Sequence, residues 1–181
     1  MKIITPFLAM ATTSILAIVM LSIPVFAQEN PKLSDAEVVS VAVIANQIDI
    51  NYGEIAIKKS KNADILKFAE TMISDHKAVI AQAAALVKRL GVTPKDNTVS
   101  QKLLADAEKT KKTLRSKSGK AFDKAYIDNE VAYHKAVIAV VEGLLIPETE
   151  NKELKALLEN VVPALKTHLE HAIMVQNKLP K

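Results

Sequence analysis

The 181-residue chain carries 24 Lys and Arg against 20 Asp and Glu, a formal net charge of +4 at pH 7. This small excess does not favour a nucleic-acid partner, and an aromatic content of 4% without Trp argues against surfaces that stack bases or sugars. Cysteine is absent, which excludes disulfides and a lipid carried on an N-terminal cysteine. Only four glycines, with abundant Ala, Leu, Lys and Glu, predict a helical protein.

The first 27 residues are typical of a signal peptide. A single basic residue, Lys2, precedes a long apolar run that ends in "PVFA" before Gln28. The small residues of this ending suit a signal peptidase, so we expect cleavage after Ala27. The alternative is an uncleaved anchor, because the apolar run approaches the length of a membrane span. After cleavage no apolar span remains, so residues 28–181 are expected to form one periplasmic or secreted domain.

Two long helices begin the mature chain. The first is predicted over residues 34–60, where Ser34 and Glu37 form a capping box and apolar residues recur at helical spacing. Asn62 can cap the second, which is predicted over 63–90 and ends at Gly91.

A polar connection of about 28 residues, 91–119, follows the second helix and contains one short helical pattern. Neighbouring antiparallel helices are usually joined by ~2–8 residues, so we expect this segment to cross the length of a bundle. The long helices on either side of it would then be parallel neighbours. The connection also carries a basic run, which we interpret as a solvated face; contact with anionic envelope lipids is the alternative.

The third and fourth long helices are predicted over 120–145 and 152–178, with Pro163 either kinking the fourth or starting a second segment. No alternating strand pattern competes with the helical one. Four long helices with one long crossover, which contains a short extra helix, predict an all-α, ferritin-like four-helix bundle.

Each long helix carries an ionisable residue within its apolar stripe, close to the middle of the helix. Because Ile65, Ala69, Met72, His76, Val79 and Ala83 recur at steps of four and three, His76 stands where a core aliphatic is expected. The same spacing places Asp49, His134 and His168 on the stripes of the first, third and fourth helices. All four lie within about three residues of a helix midpoint, roughly 5 Å of rise, so we expect them to form one polar layer.

Three imidazoles and a carboxylate in a dry interior match the ligand preferences of Zn, Fe, Mn or Cu. Three further residues are secondary candidates: His171 as a second inward group, and Asp75 and Glu130 as groups that orient an imidazole. The alternative is a hydrogen-bonded network without metal, since an unpaired buried polar group costs ~1–3 kcal/mol. The sequence leaves both interpretations open.

Catalysis is not favoured. Neither a nucleophile elbow nor an H-E-x-x-H sequence is present. The Glu-x-x-His pattern of di-iron carboxylate centres is also missing, because Ile73 and Val131 stand three residues before His76 and His134. Tyr126 and Tyr133 are expected to be packing residues whose hydroxyls reach the rim of the layer.

The chain resembles the bacterial family called domain of unknown function 4142. Four segments carry the resemblance: "DINYGEIA" from Asp49; Phe68-Ala69 with Met72 and Asp75-His76; Phe122-Asp123 with Tyr126 and His134; and Pro163 followed by His168-Leu169. A glutamate usually stands in that pattern where this chain has Asp49. The resemblance implies an exported protein with a ferritin-like fold.

Together, the residues and the resemblance suggest an exported helical protein that binds a transition metal ion, in metal handling or envelope stress protection. The alternative is a structural or interaction protein of the cell envelope, in which buried histidines set the register of the helices.

Overall fold

The computed structural model describes residues 31–180, so the predicted signal peptide and its cleavage site lie outside the described residues. Within this range the protein is helical and contains no strand, which confirms the all-α prediction. The helices are α1 Asp35–Lys59, α2 Ala63–Leu90, α3 Thr98–Ser116, α4 Gly119–Val140, α5 Ile146–Glu148 and α6 Lys152–Lys178, with a π-helical turn Val141–Leu145 between α4 and α5.

The ends of the helices follow from local sequence. The Glu37 carboxylate accepts a hydrogen bond from the Ser34 amide at 3.0 Å, as the capping box predicts. Asn62 caps α2 by accepting from the first free amides of that helix. Gly91 ends α2 with φ of 66°, in the left-handed region that favours glycine.

Four long helices surround a shared core. Around this core α1 packs against α2 and α4, and α6 packs against the same two helices. Ion pairs between Arg89 and Glu153 and between Lys178 and Asp64 join opposite ends of α2 and α6, which are therefore antiparallel. This arrangement places α2 and α4 at opposite corners.

The parallel relation of α2 and α4 agrees with the crossover prediction, but the prediction that they are neighbours is wrong. Ser60, just after α1, donates to the Asp123 carboxylate near the start of α4 at 2.6 Å, so α4 is antiparallel to α1. It is therefore parallel to α2. The two are separated because the crossover runs along α1 and brings the chain to the far corner.

The crossover helix α3 is longer than the short pattern that the sequence indicated. It runs beside α1 and in the same direction, since Asp96 lies 3.4 Å from Ser40 and the Lys59 ammonium donates to the Arg115 carbonyl at 2.6 Å. Much of its surface is charged. Such residues are good helix formers, but few large apolar residues mark the buried face, which consists of Ser100, Ala107 and Leu114, so the sequence indicated only a short helix.

The last two long helices also differ from the predicted boundaries. The third predicted helix, 120–145, divides into α4 and the π-helical turn that follows Val140. Pro163 lies inside an uninterrupted α6, and its carbonyl accepts a hydrogen bond from the Thr167 hydroxyl at 3.1 Å. The alternative in which Pro163 begins a separate segment is therefore wrong.

Gly53 allows α1 to approach α2 closely. A Cβ at this position would lie 2.8 Å from the Ile73 side chain and 3.2 Å from the Ala69 carbonyl oxygen. A larger residue would force the two helices apart. The contact lies one turn from Asp49 and from His76, and it fixes the distance between the helices that carry these two residues.

None of the described helices combines the length and the hydropathy needed to cross a membrane.

Candidate metal centre

The four predicted layer residues lie on four different helices and meet in the interior. Asp49 on α1, His76 on α2, His134 on α4 and His168 on α6 are 0%, 4%, 1% and 7% exposed. One apolar cluster packs toward the end of α1 that carries Tyr52, and a second packs toward the end that carries Val38. The polar layer lies between these clusters, near the middle of each helix.

The three imidazoles surround a common point. Their ring centroids are 5.3–5.9 Å apart, and one nitrogen from each ring lies within 4.8 Å of the other two. The Oδ2 atom of Asp49 is 3.3 Å from Nε2 of His76 and 3.4 Å from Nε2 of His134. The predicted convergence of these side chains is therefore present in the structure.

Each imidazole is oriented by a partner on the side away from the common point. Three contacts do this: His76 Nδ1 to Asn46 Oδ1 at 2.7 Å, His134 Nδ1 to the Glu130 carbonyl at 3.0 Å, and His168 Nε2 to Asp75 Oδ2 at 3.0 Å. Because every one of these partners accepts, each contacting nitrogen carries the proton. The other nitrogen of each ring therefore presents a lone pair.

The inward atoms are buried and have no hydrogen-bond partner among the described residues. They are Nε2 of His76, Nε2 of His134, Nδ1 of His168 and both carboxylate oxygens of Asp49. Buried polar atoms in native proteins are nearly always satisfied, so several in one place require an explanation. Imidazoles that each donate one N–H outward and aim the other nitrogen inward are the usual arrangement of metal-ligating histidines.

The electrostatics of the layer also suit a cation. Burial pushes the pKa of Asp49 upward, but the contact with His76 and, when the rings are protonated, the charges of His76, His134 and His168 lower it overall. Burial lowers the pKa of His134 and of His168, so both rings are neutral at pH 7. The layer therefore presents an anionic carboxylate beside the neutral imidazoles of His134 and His168.

The three secondary candidates occupy different places. Asp75 lies at the surface and contacts His168 from outside, as expected of an orienting group. Glu130 is fully buried beside His134, and burial with the charge of Asp49 raises its pKa well above the usual range. His171 lies outside the layer, where its ring packs edge-on against Phe68 at 5.1 Å.

Asn46 is the orienting residue that sequence reasoning missed. It lies on α1, about one turn before Asp49, and its carboxamide oxygen contacts His76 Nδ1. Its side-chain nitrogen donates to the Ala42 carbonyl at 2.8 Å, which fixes the amide so that the oxygen faces the imidazole. Its position three residues before Asp49 is the sequence feature that could have indicated this role.

An apolar cavity of about 340 Å³ reaches the layer. Asp49, His76 and His134 form part of its wall, and most of the remaining wall is aliphatic. Ala132 and Ala136, which also line the cavity, are exposed, so the cavity communicates with the surface beside α4. A route of this kind is needed by any ion that enters a buried site.

The fold and the centre define an all-helical protein with a buried histidine and carboxylate layer. The family described as Domain of unknown function (DUF4142) matches residues 22–175, and the chain belongs to this family. The resemblance seen in the sequence is thereby confirmed.

A solved structure described as CopM in the Cu(II)-bound form is similar to this chain, with a TM-score of 0.61 and 15% sequence identity. The match covers 82% of this chain and 100% of that chain. At this level of identity the similarity concerns the fold alone. No curated protein matches the chain.

Proposed function

We propose that this protein binds one first-row transition metal ion through His76, His134, His168 and Asp49. The observation that carries the proposal is the set of buried inward atoms without partners: three imidazole nitrogens and the Asp49 carboxylate. A metal ion would satisfy these atoms at one point, and the ligand types are those that Zn, Cu, Fe and Mn accept.

The distances support shared coordination. Two ligands of a tetrahedral ion, each bonded at ~2.0–2.1 Å, are separated by roughly 3.3–3.4 Å. The Asp49 oxygen lies 3.3 Å and 3.4 Å from the inward nitrogens of His76 and His134. These ligands therefore need little movement to bind an ion.

We assign the four-helix arrangement to the ferritin-like type on its connectivity, in which one long crossover joins two parallel helices. Ferritin chemistry does not follow from this, because function depends on the site and not on the fold. The similar fold of CopM has been solved with Cu(II), which supports metal binding by a helical protein of this shape. Metal handling or protection of the cell envelope from stress is the role that we propose, without enzymatic turnover.

We also propose that the protein is exported and cleaved after Ala27, on the strength of the apolar N-terminal run and its small-residue ending. Protein recovered from a periplasmic extract should have the intact mass of a chain that begins at Gln28. Recovery only in the membrane fraction, with residues 1–27 attached, would contradict this proposal.

Metal analysis of protein purified without an affinity tag tests the binding proposal. After incubation with Zn²⁺ or Cu²⁺ and removal of free ions, the protein should retain a stoichiometric ion in the His layer. His76→Ala should reduce retention there to background, because it removes one of three imidazole ligands. His171→Ala is the matched control, since this histidine lies outside the layer and should change nothing.

The absence of bound metal would contradict the proposal. If the unaltered protein retains no metal and His76→Ala alters only stability, then the layer is a metal-free network. The 3.3 Å contact between Asp49 Oδ2 and His76 Nε2 would then belong to that network.

A further inference from the structure

Glu130 is a buried acid that a single ion in the His layer leaves unexplained. Its exposed fraction is 0%, and neither carboxyl oxygen has a hydrogen-bond partner among residues 31–180. It lies on α4 one turn before His134. Ligand atoms of Glu130, Asp49 and His134 lie within 4.8 Å of one another, so the acid faces the same interior space as the layer.

A hydrogen bond to His134 does not account for this acid. The Nδ1 atom of His134 is 3.6 Å from the Glu130 carboxylate, beyond hydrogen-bonding distance. The same nitrogen donates its proton to the Glu130 main-chain carbonyl at 3.0 Å. The carboxylate is therefore not needed to orient the imidazole.

One ion bound by three imidazoles also leaves part of Asp49 unused. A tetrahedral ion accepts one further ligand, and Oδ2 is the Asp49 atom that lies beside His76 and His134. The Oδ1 atom of Asp49 is equally buried and has no partner in the described part of the chain. The hydroxyl of Tyr126, one turn before Glu130, is likewise buried; it lies near the Glu130 side chain but makes no hydrogen bond of good geometry with a described residue.

We propose a second cation position next to the His layer, formed by Asp49 Oδ1 and the Glu130 carboxylate, with the Tyr126 hydroxyl as a third oxygen. This inference rests on the proposed function, because Asp49 would bridge the two ions. Carboxylate bridging holds two ions roughly 3.5–4 Å apart in known two-metal sites. The donors at this position are all oxygen, a set that suits Mn²⁺ or Fe²⁺, whereas imidazoles suit Zn²⁺ or Cu²⁺.

The test uses the untagged protein, stripped of metal, then given one equivalent of Zn²⁺ followed by excess Mn²⁺. Native mass spectrometry should show one zinc and one manganese in each chain. Glu130→Gln, which keeps the shape of the side chain but removes the anionic ligand, should retain zinc and lose manganese. Glu170→Gln, the same change at an exposed position of α6, should behave like the unaltered protein.

Each other outcome overturns a defined part of the inference. Zinc alone in the unaltered protein would exclude the second position and leave the His-layer site intact. Absence of both metals would reject the proposed function and this inference together. Manganese retained by Glu130→Gln would show that Glu130 is not its ligand.

A second measurement keeps the proposal testable if Glu130→Gln does not fold. The unaltered protein loaded with Cu²⁺ and then Mn²⁺ should give the electron paramagnetic resonance spectrum of a spin-coupled pair, because the bridged ions are adjacent. Superimposed spectra of isolated Cu²⁺ and Mn²⁺ would exclude a shared carboxylate and overturn the proposal.

Discussion

The three layer histidines are oriented by groups of different kinds, and one of these groups can be altered without disturbing the core. His134 is held by a main-chain carbonyl and His76 by an asparagine of α1. His168 depends on Asp75, whose side chain is 50% exposed. A substitution of Asp75 therefore leaves the buried packing intact while it releases one imidazole.

We predict that Asp75→Ala weakens metal binding about 10–100-fold, the usual effect of removing the partner of a ligating histidine. The physical reason is that His168 loses the acceptor that fixes its proton on Nε2 and its lone pair on Nδ1. Competition with a chromophoric chelator measures the affinity. Glu70→Ala is the control, because this exposed acid lies on the same helix. Equal affinities in Asp75→Ala and the unaltered protein would contradict the role of His168 as a ligand.

The sequence predicted which residues of the layer point inward, because helical periodicity alone assigns a residue to a face. The sequence placed His168 in the layer but left open whether His171 also points inward, since residues three apart on a helix lie on adjoining parts of its surface. The structure separates them, with His168 in the layer and His171 against Phe68. The sequence also could not show that Asn46 contacts His76, because that contact depends on the distance between two helices.

At the scale of the elements, α1, α2 and α6 were predicted more accurately than α3 and α4. The boundaries of α1, α2 and α6 agree with the sequence within one or two residues, because a capping residue begins each helix. The length of α3 was underestimated, since its surface is mostly charged and its buried face carries few large apolar residues: Ser100, Ala107 and Leu114. The position of α4 diagonal to α2 depends on which side of α1 the crossover packs, and no local pattern encodes that choice.

At the scale of the whole molecule, the layer joins four helices whose other buried contacts are mainly apolar. Asp49, His76, His134 and His168 come from α1, α2, α4 and α6, so one ion coordinated by them would hold every corner of the core. An ion that binds only the folded chain stabilises it by mass action, ~2.7 kcal/mol at a concentration 100 times its dissociation constant. The proposed metal binding would therefore be linked to global unfolding.

Protons compete with such an ion for the imidazole nitrogens, and the pKa shifts of the histidines determine the pH range of this competition. Burial lowers the pKa of His134 and of His168 in the folded protein below the usual value of about 6.5. The unfolded chain therefore takes up protons first as the pH falls through about 6.5, so the stability contributed by these neutral rings is present above that pH and declines below it. The folded rings remain able to bind metal until the pH falls through their lowered pKa values.

We predict that Zn²⁺ at 100 times its dissociation constant raises the unfolding temperature by roughly 5–10 °C at pH 7.5, as expected for a domain of this size. Scanning calorimetry measures the shift. The shift should stay nearly constant through about pH 6.5 and decrease only when the pH falls through the lowered pKa values of His134 and His168, because protonated imidazoles cannot bind the ion. His168→Ala should lose most of the shift at every pH, whereas His171→Ala should keep it. An equal shift in both variants would mean that zinc stabilises the protein from a site outside the layer.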